Sequence, residues 1–109
     1  MAWSVDNNNN LTMAEEDFGV GLKFEFQLEA TLTARDTIQF VIKRNKNADP
    51  IITKDYNAFE NNTVFFVLTE EDSEKLPIGT YVYRVDWFQE GSFMDNLILC
   101  STLRVVDKA

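Results

Sequence analysis

The sequence predicts an all-β fold: an antiparallel β-sandwich of six or seven strands with one short helical turn near 70–75. Three observations predict it. Apolar and polar residues alternate with period two over Leu22–Leu28, Ile38–Ile42 and Tyr81–Trp87, the pattern of strands buried on one face. Turn residues separate these runs at regular intervals. One helix-start signature, Thr69 followed by Glu70, Glu71 and Asp72, is cut short by Pro77 and Gly79.

Taken in order, residues 1–9 are polar and Asn-rich, which predicts a flexible N-terminal arm before a single domain spanning 10–109. Leu11–Met13 reads as a short first strand, and Glu15, Glu16 and Asp17 as a charged turn. In the next strand Leu22, Phe24, Phe26 and Leu28 face inward, with Lys23, Glu25, Gln27 and Glu29 opposite. Thr31–Asp36 is a connection, and Thr37–Arg44 repeats the pattern with Ile38, Phe40 and Ile42 inward. Asn45–Asp49 is a turn, after which Pro50 opens a strand over Ile51–Tyr56 where no ladder hydrogen bond is required of it. Asn57–Asn62 turns again, and Val64, Phe66 and Leu68 extend the inward set.

The helical turn follows. Thr69 is the N-cap, Asp72 stands where a capping box usually carries Glu or Gln, and three acids suit the positive end of the helix dipole. Pro77 turns Leu76 away from helical backbone, and Gly79 gives the freedom for a corner. Tyr81, Tyr83, Val85 and Trp87 then face the core. Glu90-Gly91-Ser92 makes a hairpin turn, and a final strand to Val106 places Leu97, Leu99, Leu103 and Val105 inward.

Composition bounds the function. A chain of 109 residues suits one hydrophobic core. No apolar run is long enough for a transmembrane helix, and the first residues lack the basic and apolar regions of a signal peptide. A single cysteine, Cys100, provides no internal disulfide. These features predict synthesis in a reducing cytoplasm. Ten basic against eighteen acidic residues give a net charge of -8, which disfavours nucleic acid and anionic membranes as partners.

With no histidine, Ser-His-Asp and Cys-His catalysis are closed off. Asn45, Asn47 and Asp49 begin like a calcium loop, but Pro50 and Tyr56 stand where that loop needs its glycine and closing acid. No catalytic, cofactor or metal site is expected. The Asn-x-Thr sequons at Asn10 and Asn61 carry no weight without a secretory signal. Cys100 has no flanking positive cluster in the sequence and reads as a small apolar filler.

The segment LTEEDSEKLPIGTYVYRVD resembles the hallmark of small immunoglobulin-like β-sandwich domains in structural proteins of tailed phages and prophages, of the type at the N-terminus of the baseplate upper protein. Thr69, Asp72, Leu76, Pro77, Gly79, Tyr81 and Tyr83 carry the match. The closing strand ends LRVVD, with Leu103 where an aromatic is commoner, and the family's early Gly-Asp turn is here Glu16-Asp17. The resemblance covers the chain from about Leu11 onward. It implies an immunoglobulin-like sandwich without enzyme activity, made in the bacterial cytoplasm and carried in the virion after assembly. The partners it implies are other phage structural proteins.

Two interaction readings follow from the alternation. Val41, Phe65, Val67, Val82, Phe88, Ile98 and Cys100 point away from the expected core. Phe65 with Val67, and Ile98 with Cys100, share a face two by two, which predicts docking or homo-oligomer formation through an outer sheet face. The alternative is a carbohydrate-binding sandwich, which needs Trp3, Tyr56, Trp87 or Phe88 in an exposed flat cluster.

Overall fold

The computed structural model describes residues 3–5, 10–14, 19, 21–26, 28 and 31–107, with the backbone alone at residues 3–5 and 99. Eight strands and one helix follow in the order β1 Trp3–Val5, β2 Leu11–Ala14, β3 Leu22–Glu25, β4 Asp36–Lys43, β5 Pro50–Tyr56, β6 Thr63–Phe66, α1 Glu70–Ser73, β7 Gly79–Gln89 and β8 Ser92–Val106. The fold is mostly β, as predicted, with the helix where the capping signature puts it. Among the described residues there are eight strands rather than six or seven, because Trp3–Val5, inside the expected arm, pairs antiparallel with β2. The other residues of that arm, and the expected turn at Glu15–Asp17, lie outside the described residues.

A six-stranded sheet has the order β1-β2-β8-β7-β4-β5, and a two-stranded sheet is formed by β3 and β6. The expectation of a wholly antiparallel arrangement is corrected at one place: β2 runs parallel to β8, Leu11 beside Leu103 and Met13 beside Val105. Period-two alternation is the same for either direction of pairing, so the sequence carries no sign of it.

The core joins the two sheets. Phe40 of β4 stacks on Phe66 of β6 with ring centroids 4.4 Å apart, and Phe24 of β3 meets Phe40 edge-on at 5.0 Å. Leu11, Met13, Ile38, Ile42, Val64, Leu68, Leu76, Tyr81, Tyr83, Val85, Leu103 and Val105 close around these rings. The inward sets expected on β3, β4, β6 and β7 are the ones that pack here. Leu22, Phe26, Leu28 and Trp87 lie half-buried at its margin.

Strand β8 departs from the expected alternation. Tyr83 faces Ser101 but Val85 faces Ile98, with further shifts between Val85 and Asp86 and between Trp87 and Phe88. The fourteen residues Ser92–Val105 thus run beside the eleven of Gly79–Gln89. Each extra residue is a bulge that reverses which side chains face in. Leu103 and Val105 are buried as expected, Ile98 joins them, and Leu97 is only half-buried. The side chain of Leu99 lies outside the described residues. Val41 is a second correction: it is absent from the core cluster yet only 2% exposed. Its strand is central, with Thr53 of β5 and Arg84 of β7 on either side, so the sheet's outer face covers it.

The turns explain themselves chemically. Asn61 and Asn62 both have positive φ (54° and 57°) and Thr63 N–H donates to the Glu60 carbonyl at 3.0 Å, a type I′ turn in which Asn is at home. Asn62 Oδ1 also accepts from Leu32 N–H at 2.7 Å, fastening the segment before β4. Glu90 and Gly91 repeat the positive-φ pair between β7 and β8 (50° and 83°). The capping box is complete: Asp72 N–H donates to Thr69 Oγ1 and Thr69 N–H to Asp72 Oδ2. Gly79 has φ +159°, at the extended edge of the positive range that side chains rarely adopt, and a side chain there would also meet Arg44 Nη1 at 3.1 Å.

Candidate functional site

Three polar side chains, Asp36, Asp72 and Tyr56, hold the fold together, and of their bonds only the Thr69–Asp72 cap was visible in the sequence. Asp36, at the start of β4 and 2% exposed, accepts from Thr33 N–H (2.8 Å), Trp87 Nε1 (2.9 Å) and Gln89 Nε2 (3.2 Å). Burial works to raise its pKa, but these bonds outweigh it and hold the carboxyl below its ordinary value. Asp72 is similar: burial opposes ionisation, while Lys54 Nζ at 2.7 Å and the Thr69 bonds bring its pKa down. The Tyr56 hydroxyl, raised in pKa by burial, accepts from Val67 N–H at 3.2 Å and so ties β5 to the end of β6. All three are spent on holding loops and strands together. Among the described residues no buried side-chain nitrogen or oxygen lacks a partner.

The chemistry available to a ligand is at the surface. A cleft of about 360 Å³ opens on the outer face of the large sheet, lined by Lys43, Lys46, Val82, Tyr83, Arg84 and Cys100. β4 brings Lys43 beside Val82. The β4–β5 turn brings Lys46, whose carbonyl accepts from Lys43 Nζ at 3.3 Å. Bulging of β8 beside Tyr83–Val85 places Cys100, which is exposed, at the cleft. Arg84 Nε is 2.9 Å from Asp86 Oδ2, a carboxylate that Asn96 Nδ2 also contacts. Among the described residues no carboxylate lines the cleft itself. The sequence run Lys43-Arg44-Asn45-Lys46 was the visible sign, and it gained meaning only when β7 brought Arg84 alongside.

A smaller hollow, about 250 Å³, lies on the outer face of the two-stranded sheet between Lys23, Glu25, Glu60, Asn61, Thr63 and Phe65. Here the structure places the first expected interaction pair: Phe65 is 58% exposed and Val67 half-buried, and a side chain added at Gly21 would meet both. The second pair does not hold. Cys100 is exposed, but Ile98 is in the core, because the bulge between them reverses the strand's faces. Apolar exposure that the alternation did not single out lies at Ile78 and on the last hairpin, where Phe93 and Met94 are exposed and Phe88 meets Phe93 edge-on at 5.8 Å.

The aromatic residues of a sugar platform are not gathered. Tyr56 and Trp87 pack against the core, Phe88 lies by the hairpin tip, and the side chain of Trp3 is outside the described residues. The Asn45–Asp49 segment closes on itself, Asn45 Oδ1 accepting from Asn47 N–H and its carbonyl from Ala48 N–H. Among the described residues no group of three or more His, Cys, Asp or Glu could hold a metal, and no helix is long and apolar enough to cross a membrane. No protein-family model matches the chain, and no curated protein matches it.

Proposed function

We propose that this chain is a non-enzymatic structural and interaction module of a phage or prophage particle, a tail, baseplate or fibre component with an immunoglobulin-like fold. Several features support the fold. The run β8-β7-β4-β5 has the order of the G, F, C and C′ strands of variable-type sandwiches, and β3 with β6 stands in the place of B and E. Tyr81, near the start of β7, donates its hydroxyl to the Pro77 carbonyl at 2.6 Å, the contact of a tyrosine corner. Tyr83, two residues on, then occupies the position of the second cysteine of antibody domains, and is buried.

The observation that carries the docking role is the apolar hairpin tip. Phe93 and Met94 are 55% and 45% exposed, with Phe88 against Phe93. Scattered single apolar residues need no explanation; three together at the end of one hairpin are what a partner covers. The chain is made in the bacterial cytoplasm and ends in the virion, where other structural proteins are its partners. The test is composition: density-purified particles from a lysogen carrying the gene contain the chain in stoichiometric amount, and Phe93→Asp with Met94→Asp lowers its incorporation. Particles free of the wild-type chain refute the reading.

A further inference from the structure

The outer-face cleft is an anomaly of charge. In a chain of net charge -8, Lys43, Lys46 and Arg84 meet around one hollow with no carboxylate in its lining among the described residues. Of the three, Arg84 alone is within ion-pair distance of a carboxylate among the described residues. The hollow also has an apolar part, Val82 and the Cys100 thiol. Its complement is therefore a group that presents several carboxylates beside an apolar side chain.

The same chain carries such a group. Glu70, Glu71 and Glu74 of the helical corner are all exposed, none is in an ion pair among the described residues, and the last turn has no basic residue. Four residues after Glu74, Ile78 is 53% exposed. Asp72, the fourth acid, is turned inward and already paired with Lys54. Among the described residues the corner's three exposed carboxylates thus have no ion-pair partner and Ile78 is half exposed beside them, while the cleft has cations and an apolar floor.

We propose that the cleft of one copy receives the acidic corner of a second copy, Glu70, Glu71 and Glu74 seated on Lys43, Lys46 and Arg84, and Ile78 over Val82. The proposal deepens the assembly reading above and rests on it for its purpose. Long-range repulsion between two acidic chains does not forbid the contact. At physiological ionic strength charges are screened beyond about 8 Å, so local complementarity governs. Each copy has one cleft and one corner, two different surfaces. The contact is therefore heterologous, and it propagates into a ring or a filament unless two copies satisfy both contacts reciprocally as a dimer.

The experiment is a charge exchange read by light scattering and sedimentation over a concentration series at low salt. Wild type associates, and raising salt to several hundred millimolar weakens association about tenfold or more. Lys43→Glu with Lys46→Glu is monomeric, and so is Glu71→Lys with Glu74→Lys. An equimolar mixture of the two variants associates again, because the exchanged charges attract. Glu71 and Glu74 are chosen so that the capping Asp72 is untouched, and circular dichroism verifies that each variant is folded. Cys100, the sole cysteine, reports the site: its alkylation slows on association in wild type. A wild type that stays monomeric throughout, or association that both exchanges leave intact, overturns the proposal. So does protection of Cys100 by phosphate or citrate without self-association, which marks a small-anion site. A chain that is monomeric in solution yet present in purified particles removes this contact and leaves the assembly reading standing.

Discussion

Asp36 fastens three pieces of the fold through one carboxylate: the Thr33 turn, the Trp87 indole and the Gln89 amide. Its depressed pKa, like that of Asp72, links stability to pH. In the unfolded chain both carboxyls take the proton first, near the ordinary value of about 3.9. Their contribution is therefore full above that value and is lost as pH falls through the lower folded values. The urea midpoint is expected to hold down to about pH 5 and to fall below about pH 4, and Asp36→Asn with Asp72→Asn flattens that fall. Tyr81→Phe removes the hydroxyl bond to the Pro77 carbonyl and costs about 1 kcal/mol by chemical denaturation. The two aspartates differ in legibility. Asp72 was readable because its capping partner is three residues away. Asp36 was not, since Trp87 and Gln89 lie more than fifty residues along the chain and no local rule connects them.

At the scale of elements, alternation located the faces of β3, β4, β6 and β7 because each of those keeps its pleat over the stretch that is buried. It held for Leu103 and Val105 but failed on the earlier part of β8, where bulges put extra residues into the strand without any glycine or proline to announce them. The two readings of β8 give opposite outcomes for neighbouring residues. Ile98→Ala is expected to cost about 2–4 kcal/mol as a core truncation, while Leu97→Ala, half-buried, costs about 1 kcal/mol or less. Equal losses in urea unfolding count against the bulged register. The same bulge is why Cys100 lines the cleft while Ile98 does not, so the candidate site was hidden by the feature that made the strand hard to read. The turns were easier: Asn61-Asn62 and Glu90-Gly91 were expected as turns, and the positive φ at each suits Asn and Gly.

For the whole molecule, the large sheet leaves β1 and β5 at its edges, and the small sheet covers one face of the core with only β3 and β6. Phe65 stands on the outside of that small sheet, so Phe65→Glu is expected to shift stability by no more than about 0.5 kcal/mol. Cooperative loss of the near-ultraviolet spectrum in that variant marks Phe65 as core and reverses the faces of β6.

The parallel pairing of β2 with β8 has a consequence in time. Leu11 and Met13 belong to the core, yet the strand they lie against is Leu103–Val106, and Asn10 Oδ1 accepts from Thr102 N–H across 92 residues of sequence. On the ribosome β2 emerges among the first residues of the domain and its neighbour among the last. Until Val105 is clear of the exit tunnel, Leu11 and Met13 lack the strand they pair beside. Closure of so long a loop is the slow kind of step, so the nascent domain is most vulnerable to association with other chains just before it is finished. Met13→Ala is therefore expected to slow refolding more than it speeds unfolding, the signature of a contact made at the folding barrier.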